Sequence, residues 1–238
     1  VNHETGAVQD TAALFALARR RGAVVLMDAV QTAPRLSPSR WAPYADLVAI
    51  SAHKLHCPKG SALLWRRTGL RLRPFRFGGG QEDGLFPGTE NVPGIAAFAE
   101  GARLLASSLA DESVVLGSLE KDFFGLCGKR GLEIVKVSPE DHIPGVFCVS
   151  LPWANDMEAL MTGLARAGLC LSRFSACSDR MDGPSRVLLA MGRTPEEASC
   201  SLRIGLGRFS VREDLAALAA GLEEGRRLPR PTSPNPRP

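Results

Sequence analysis

The chain has 238 residues and a mass of 25.4 kDa, with 45% apolar and 23% charged residues. That is ordinary globular composition, with enough chain to bury a core in one large domain or two modest ones. The formal net charge of +4 is small and the arginines are scattered, which gives nucleic-acid binding no support. No apolar run approaches the roughly 18 residues of a membrane span, and the polar opening VNHETGAVQD lacks the layout of a signal peptide.

Residues 10–21 put Leu14, Leu17 and Ala18 on one helical face, with Asp10 as N-cap and Gly22 as the stop. AVVLM (23–27) and DLVAIS (46–51) are continuous apolar runs, which predicts strands of a parallel sheet covered on both faces. SALLWRR (61–67) reads as a third strand. FGGGQEDGLFPGTENVPG (77–94) reads as an extended loop, in which the glycines at 78–80 serve chiefly a turn. A long helix over about 95–130 follows, then short strands near 132–137 and 145–151. Asn155 and Glu158 resemble a cap pair for the next helix.

The apolar segment LCLS ends at 172. Helices are predicted near 184–191 and 195–199, and a strand over 201–206. Ser210 with Glu213 suggests a capping box for a last helix whose Val211, Leu215, Leu218 and Leu222 share a face. The tail at 229–238 has five prolines in ten residues and reads as disordered. The fold class is therefore α/β, with residues 1–100 in a sheet-bearing large domain and 101–228 in a smaller α+β domain.

In a parallel sheet, sites form where loops leave the carboxyl ends of the strands. Asp28 ends the first run, with Gln31 three residues on, and the second leads directly into Ser51, His53 and Lys54. A carboxylate and a lysine at one sheet edge form either a structural salt bridge or a functional pair. In the second case the lysine forms a Schiff base with the aldehyde of pyridoxal phosphate (PLP). The aspartate then keeps the pyridine nitrogen protonated, and Ser51 and His53 donate to the phosphate. The six cysteines, at 57, 127, 148, 170, 177 and 200, contain no CxxC pair and accompany only four histidines. Neither a zinc framework nor a disulfide scaffold is indicated, and a reducing cytoplasm is expected. Cys177, between Ser175 and Ser178 in a polar stretch, differs from the other five, which read as small buried hydrophobes.

DAVQ, SAHKLHCPKG, GGGQEDGLFPGTENVPG, FSACSDR and SLRIGLGRFS, in this order, resemble the cysteine desulfurases, class V members of the fold-type-I PLP enzymes. The resemblance runs from Val1 to about residue 225. It implies that Lys54 is the Schiff-base lysine, that Asp28 pairs with the pyridinium nitrogen and that Gln31 bonds the phenolic oxygen. It also implies that Ser51 and His53 contact the phosphate, that His3 contacts the cofactor, and that Thr89 reaches the phosphate of a neighbouring subunit in a homodimer. Arg203 would hold the substrate carboxylate. Cys177 would accept sulfur from L-cysteine and pass it to an acceptor, most often an iron–sulfur scaffold protein. Cys177 would be a metal ligand only if it bound a transferred cluster. Neither nucleic acid nor membrane is an expected partner. The alternatives are another class V PLP enzyme, a selenocysteine lyase or an aminotransferase, and a catalytically inactive remnant.

The pattern departs from the family at several positions. His3 replaces an asparagine, Phe86 an arginine and Phe174 a glycine, and His56 and Cys57 stand for tyrosine and glycine. The chain opens in mid-pattern at Val1, which reads as a fragment lacking about 150 residues of the family's N-terminal portion. A chain of this extent is expected to bind PLP poorly and to be nearly inactive alone.

Overall fold

A computed structural model describes residues 1–173 and 183–227. The expected disordered tail at 229–238 and the polar stretch around Cys177 lie outside the described residues. The described chain is mixed α/β and divides into two compact units, residues 9–110 and residues 1–8 with 111 onward.

The unit formed by residues 9–110 contains helix α1 (Thr11–Arg20) and strands β1 (Leu26–Asp28), β2 (Leu47–Ser51) and β3 (Ala62–Arg66). Asp10 caps α1 as its spacing predicts, accepting from Ala13 N at 2.9 Å. The sheet order is β1-β2-β3, with β1 parallel to β2 and β3 antiparallel to β2. In register, Asp28 lies opposite Ala49 and Ala62 opposite Ser51. The expectation of strands covered on both faces is not met. β1 is three residues long with both its ends exposed, and β3 is exposed at every position. The core of this unit is small: Ala29, Ala33, Trp41, Ala45 and Val48. Beside it Asp46 is fully buried, accepting from Val25 N at 2.9 Å and from Arg67 Nε at 2.7 Å. The Val25 amide first, then the Arg67 guanidinium, hold its carboxyl below the usual range.

Helix α2 (Val92–Lys129) runs for 38 residues, and the division between the units falls within it. Its Leu116, Leu119, Phe123 and Cys127 recur at spacings of three and four residues, so one stripe is buried. They join the core of the unit formed by residues 1–8 and 111 onward, which holds strands β4 (Val135–Lys136), β5 (Val146–Ser150) and β6 (Ser201–Gly205) in an antiparallel sheet of order β4-β5-β6. Every residue of β5 is buried. Helices α3 (Met157–Arg166) and α6 (Arg212–Arg226) pack together on this core through Leu160, Leu164, Leu215, Leu218 and Leu222. Gly221 and Gly225 make the approach possible, since a Cβ at either would meet Leu164 or Leu160. Short helices α4 (Arg186–Ala190) and α5 (Pro195–Ser199) belong to the same unit.

Both predicted caps of the longer C-terminal helices shift by one position. Asp156, not Asn155, caps α3, accepting from Ala159 N at 2.8 Å, while the Asn155 amide donates to Trp153 O. At α6 the reaching carboxylate is Asp214, not Glu213. It accepts from Val211 N at 3.0 Å, and Ser210 Oγ instead accepts from Gly207 N. Val211 is therefore the cap and is exposed, unlike the leucines of its face. The cysteines also differ from their uniform expectation. Cys127 and Cys148 are buried, Cys57 and Cys200 half-buried, and Cys170 exposed.

Candidate functional site

In the unit of residues 9–110, two neighbouring parallel strands deliver polar groups at their carboxyl ends. β1 ends at Asp28, and the Ala29 amide extends the ladder by one bond to Ala49 O at 2.9 Å. Asp28 Oδ1 accepts from Val30 N at 3.0 Å, an Asx turn that bends the chain off the sheet. Thr32 and Ala33 donate back to Ala29 O, which leaves Gln31 half-buried in that turn. β2 ends at Ser51 and passes into a 3₁₀ turn, Ala52–Leu55, pinned by its buried first and last residues. Ser51 Oγ and His53 Nδ1 lie 2.7 Å apart, and Lys54 is half-buried in the same turn.

The turn closes at His56, which has φ 61°, a left-handed conformation that histidine adopts more readily than bulkier residues. The Cys57 thiol then donates to Leu55 O and Ala97 O, each at 3.4 Å. Gly101 on α2 leaves the space that its sulfur fills. Asn91 Nδ2 donates to Ser61 Oγ at 3.4 Å nearby. The lysine-bearing turn is thus tied to the start of α2 by Cys57 and Ser61, contacts with no signal in the local sequence. Thr89 is exposed in the stretch before α2.

In the unit of residues 1–8 and 111 onward, Arg203 projects from the middle of β6, where it pairs with Cys148 of β5. Its backbone amide donates to Ser172 O at 2.8 Å, and its Nη1 donates to the His3 carbonyl at 3.3 Å. The structure therefore brings together two candidate residues 200 positions apart. Burial pushes the Cys127 thiol up to about 11 and the Cys148 thiol up to about 12, so both remain protonated and poorly nucleophilic near neutrality. Neither of these two buried thiols therefore offers a thiolate. Cys177 lies outside the described residues. Among the described residues, no group of three or more His, Cys, Asp or Glu side chains converges as metal ligands, and no helix is long and apolar enough to cross a membrane.

The donor set at the β1 and β2 ends fits a phosphorylated pyridine. It offers an exposed carboxylate for a ring nitrogen, a hydroxyl–imidazole pair for phosphate oxygens, and a primary amine for an aldehyde. The aminotransferase class-V family profile matches residues 1–218 of the chain. Among similar proteins, a cysteine desulfurase IscS of Anaeromyxobacter sp. (strain K) is 38% identical over 217 residues, covering 90% of this chain and 53% of that protein. A cysteine desulfurase of Frankia sp. (strain EuIK1) is 37% identical over 226 residues, covering 92% of this chain and 52% of that protein. The X-ray structure of a NifS-like protein from Rickettsia africae ESF-5 superposes with a TM-score of 0.82 at 27% identity, over 96% of this chain and 60% of that one. The chain thus spans about half the length of the curated relatives it matches.

Proposed function

The chain belongs to the aminotransferase class-V family, and on that premise we propose that its residues serve a PLP-dependent cysteine desulfurase acting on L-cysteine. The observation that carries the reading is the delivery of Asp28 and the Ser51–His53–Lys54 group to the same ends of two hydrogen-bonded parallel strands. The names of the relatives supply the reaction class.

Lys54 would hold the cofactor through its amine, Asp28 would keep a proton on the pyridine nitrogen, and Gln31 would bond the phenolic oxygen. Ser51, His53 and, from a second subunit of a homodimer, Thr89 would hold the phosphate, with His3 as a further contact. When bound, pyridoxal phosphate supplies an electron sink for charge developing at the Cα of an amino acid. The chain's own groups do the rest. Arg203 receives the substrate carboxylate in a two-pronged bond. The Lys54 amine, when free, would take the Cα proton as general base. The Cys177 thiolate attacks the substrate sulfur. The carbon–sulfur bond breaks and a sulfur–sulfur bond forms on Cys177; the electron pair left on Cβ is protonated, and the protonated Lys54 amine returns its proton to Cα, to give alanine. The persulfide passes to an acceptor thiol, such as that of an iron–sulfur scaffold protein in the cytoplasm.

Because a chain of this extent is expected to turn over slowly, the test is mass analysis after a long incubation of the chain with a large excess of PLP and L-cysteine, followed by alkylation. A gain of one sulfur atom on the peptide bearing Cys177, absent in Cys177→Ala, supports the reading. Alanine formed without that gain rejects Cys177 as the sulfur acceptor, and amino transfer that persists in Cys177→Ala with no alanine formed rejects desulfuration in favour of another class-V activity.

A further inference from the structure

We infer that Glu4 is a positioning residue for Arg203, fixing the peptide carbonyl that steers this guanidinium. The inference rests on the proposed role of Arg203 as holder of the substrate carboxylate.

The peptide unit joining His3 to Glu4 is held on several sides. Its carbonyl, on His3, accepts from Arg203 Nη1 at 3.3 Å. Its amide, on Glu4, donates to Asn2 Oδ1 at 2.9 Å, and the same oxygen accepts from the Thr5 amide at 3.0 Å. The Glu4 side chain is only 10% exposed. Its Oε2 accepts from Ser185 Oγ at 2.5 Å, a short charge-assisted bond between residues 181 positions apart. Ser185 is itself fixed, because its Oγ also accepts from Leu188 N at 3.2 Å as the cap of α4. Beyond Glu4, Ser138 Oγ donates to Thr5 O at 2.6 Å, and Ile143 N donates to Gly6 O at 2.9 Å. Gly6 has φ +72°, and any Cβ there would strike the Val146 carbonyl, so the turn sits hard against β5.

A buried carboxylate is costly unless its bonds repay the lost hydration. Neither the turn nor α4 needs a charge at this place, since a neutral acceptor would serve for packing. What the Glu4–Ser185 bond adds is rigidity at the His3 carbonyl, the acceptor that restrains Arg203. A free arginine side chain has many rotamers, and binding a carboxylate requires freezing them. An arginine with one nitrogen already tethered keeps its remaining N–H groups oriented and loses less entropy on binding. The bond to Arg203 is made by the backbone of residue 3, while the His3 ring lies beside the same carboxylate, with Nε2 3.9 Å from Glu4 Oε1.

The test follows the Arg203 Nε–Hε resonance of the isotopically labelled chain during titration with L-cysteine. Cysteamine, the same molecule without the carboxylate, serves as the control. In the unaltered chain L-cysteine should shift this resonance and cysteamine should not. Glu4→Ala should weaken the L-cysteine response about tenfold in apparent Kd, the scale of one lost orienting contact. Glu4→Gln, whose amide oxygen still accepts from Ser185, should restore most of it and also shows that the fold persists. Ser185→Ala should match Glu4→Ala. If the unaltered chain responds to L-cysteine and Glu4→Ala responds with the same Kd, the positioning role is overturned while the Arg203 reading stands. If the unaltered chain does not distinguish L-cysteine from cysteamine, both fall.

Discussion

The two units solve the same problem with unequal means. The unit of residues 1–8 and 111 onward buries a continuous core in which Phe123 and Phe147 lie with ring centroids 5.7 Å apart. The unit of residues 9–110 carries the lysine and aspartate of the proposed cofactor site on a sheet backed by one tryptophan, a valine and a few alanines. Large apolar groups there, Leu26, Leu63, Leu64 and Trp65, stay largely exposed. In the described chain, apolar burial is concentrated in one unit, and the other adds specific polar ties such as Asp46 and Cys57 to a smaller core.

Four changes sharpen or break that contrast. The largest effect is expected from Phe123→Ala. A fully buried aromatic is lost from the richer core, and denaturant unfolding followed by fluorescence should show a loss of about 3–5 kcal/mol. The second is Asp46→Ala, which leaves the Val25 amide and the Arg67 guanidinium without their shared acceptor. Hydrogen exchange at Val25 and Leu47 should accelerate strongly while amides of β5 keep their protection. Equal acceleration in both places would erase the distinction between the units.

The third effect is a pH dependence that differs between the units. His142 Nε2 lies 3.0 Å from both Glu120 oxygens, and Lys136 Nζ lies 2.8 Å from Oε1. The bond to Glu120 raises the histidine above its ordinary value, against the opposing effect of burial. For Glu120, burial pushes upward, but the bonds from His142 and Lys136 together outweigh it and hold the carboxyl low. A raised histidine stabilises below its unfolded value, and that contribution is lost as pH rises through its folded value. The lowered Asp46 and Glu120 stabilise above their unfolded values and lose this as pH falls through the folded ones. Going from about pH 6 to about pH 9, protection of the Ile143 amide should therefore decline while that of Val25 holds. In acid, both should fall. The smallest effect is expected from Leu64→Ser on exposed β3, within about 0.5 kcal/mol of zero; a larger loss would mean that β3 is covered in solution.

Legibility in the sequence follows how local each feature is. Strand ends bearing Asp28 and Ser51–Lys54 could be read because an apolar run and its polar end lie within a few residues of each other. The α6 face could be read from its spacing, since periodic leucines report burial directly. Caps were displaced by one residue because Asn155 and Asp156, or Glu213 and Asp214, are adjacent groups of equal capping chemistry, and only backbone direction chooses between them. The Asn2–Thr5 turn had a signal in its Asn-to-Thr spacing. The Glu4–Ser185 bond and the fit of Cys57 into the Gly101 notch had none, because each joins residues brought together only by the tertiary fold.

The chain has five lysines, at 54, 59, 121, 129 and 136, which makes the central claim open to a single direct measurement. Because a chain of this extent is expected to bind PLP poorly, it is incubated with a large excess of pyridoxal phosphate, the small adduct population is trapped with borohydride, and the digest is analysed by mass spectrometry. The account predicts one dominant pyridoxyl adduct, on Lys54, that diminishes sharply in Asp28→Ala. An adduct spread evenly over the five lysines, or centred on any of the other four, would contradict it.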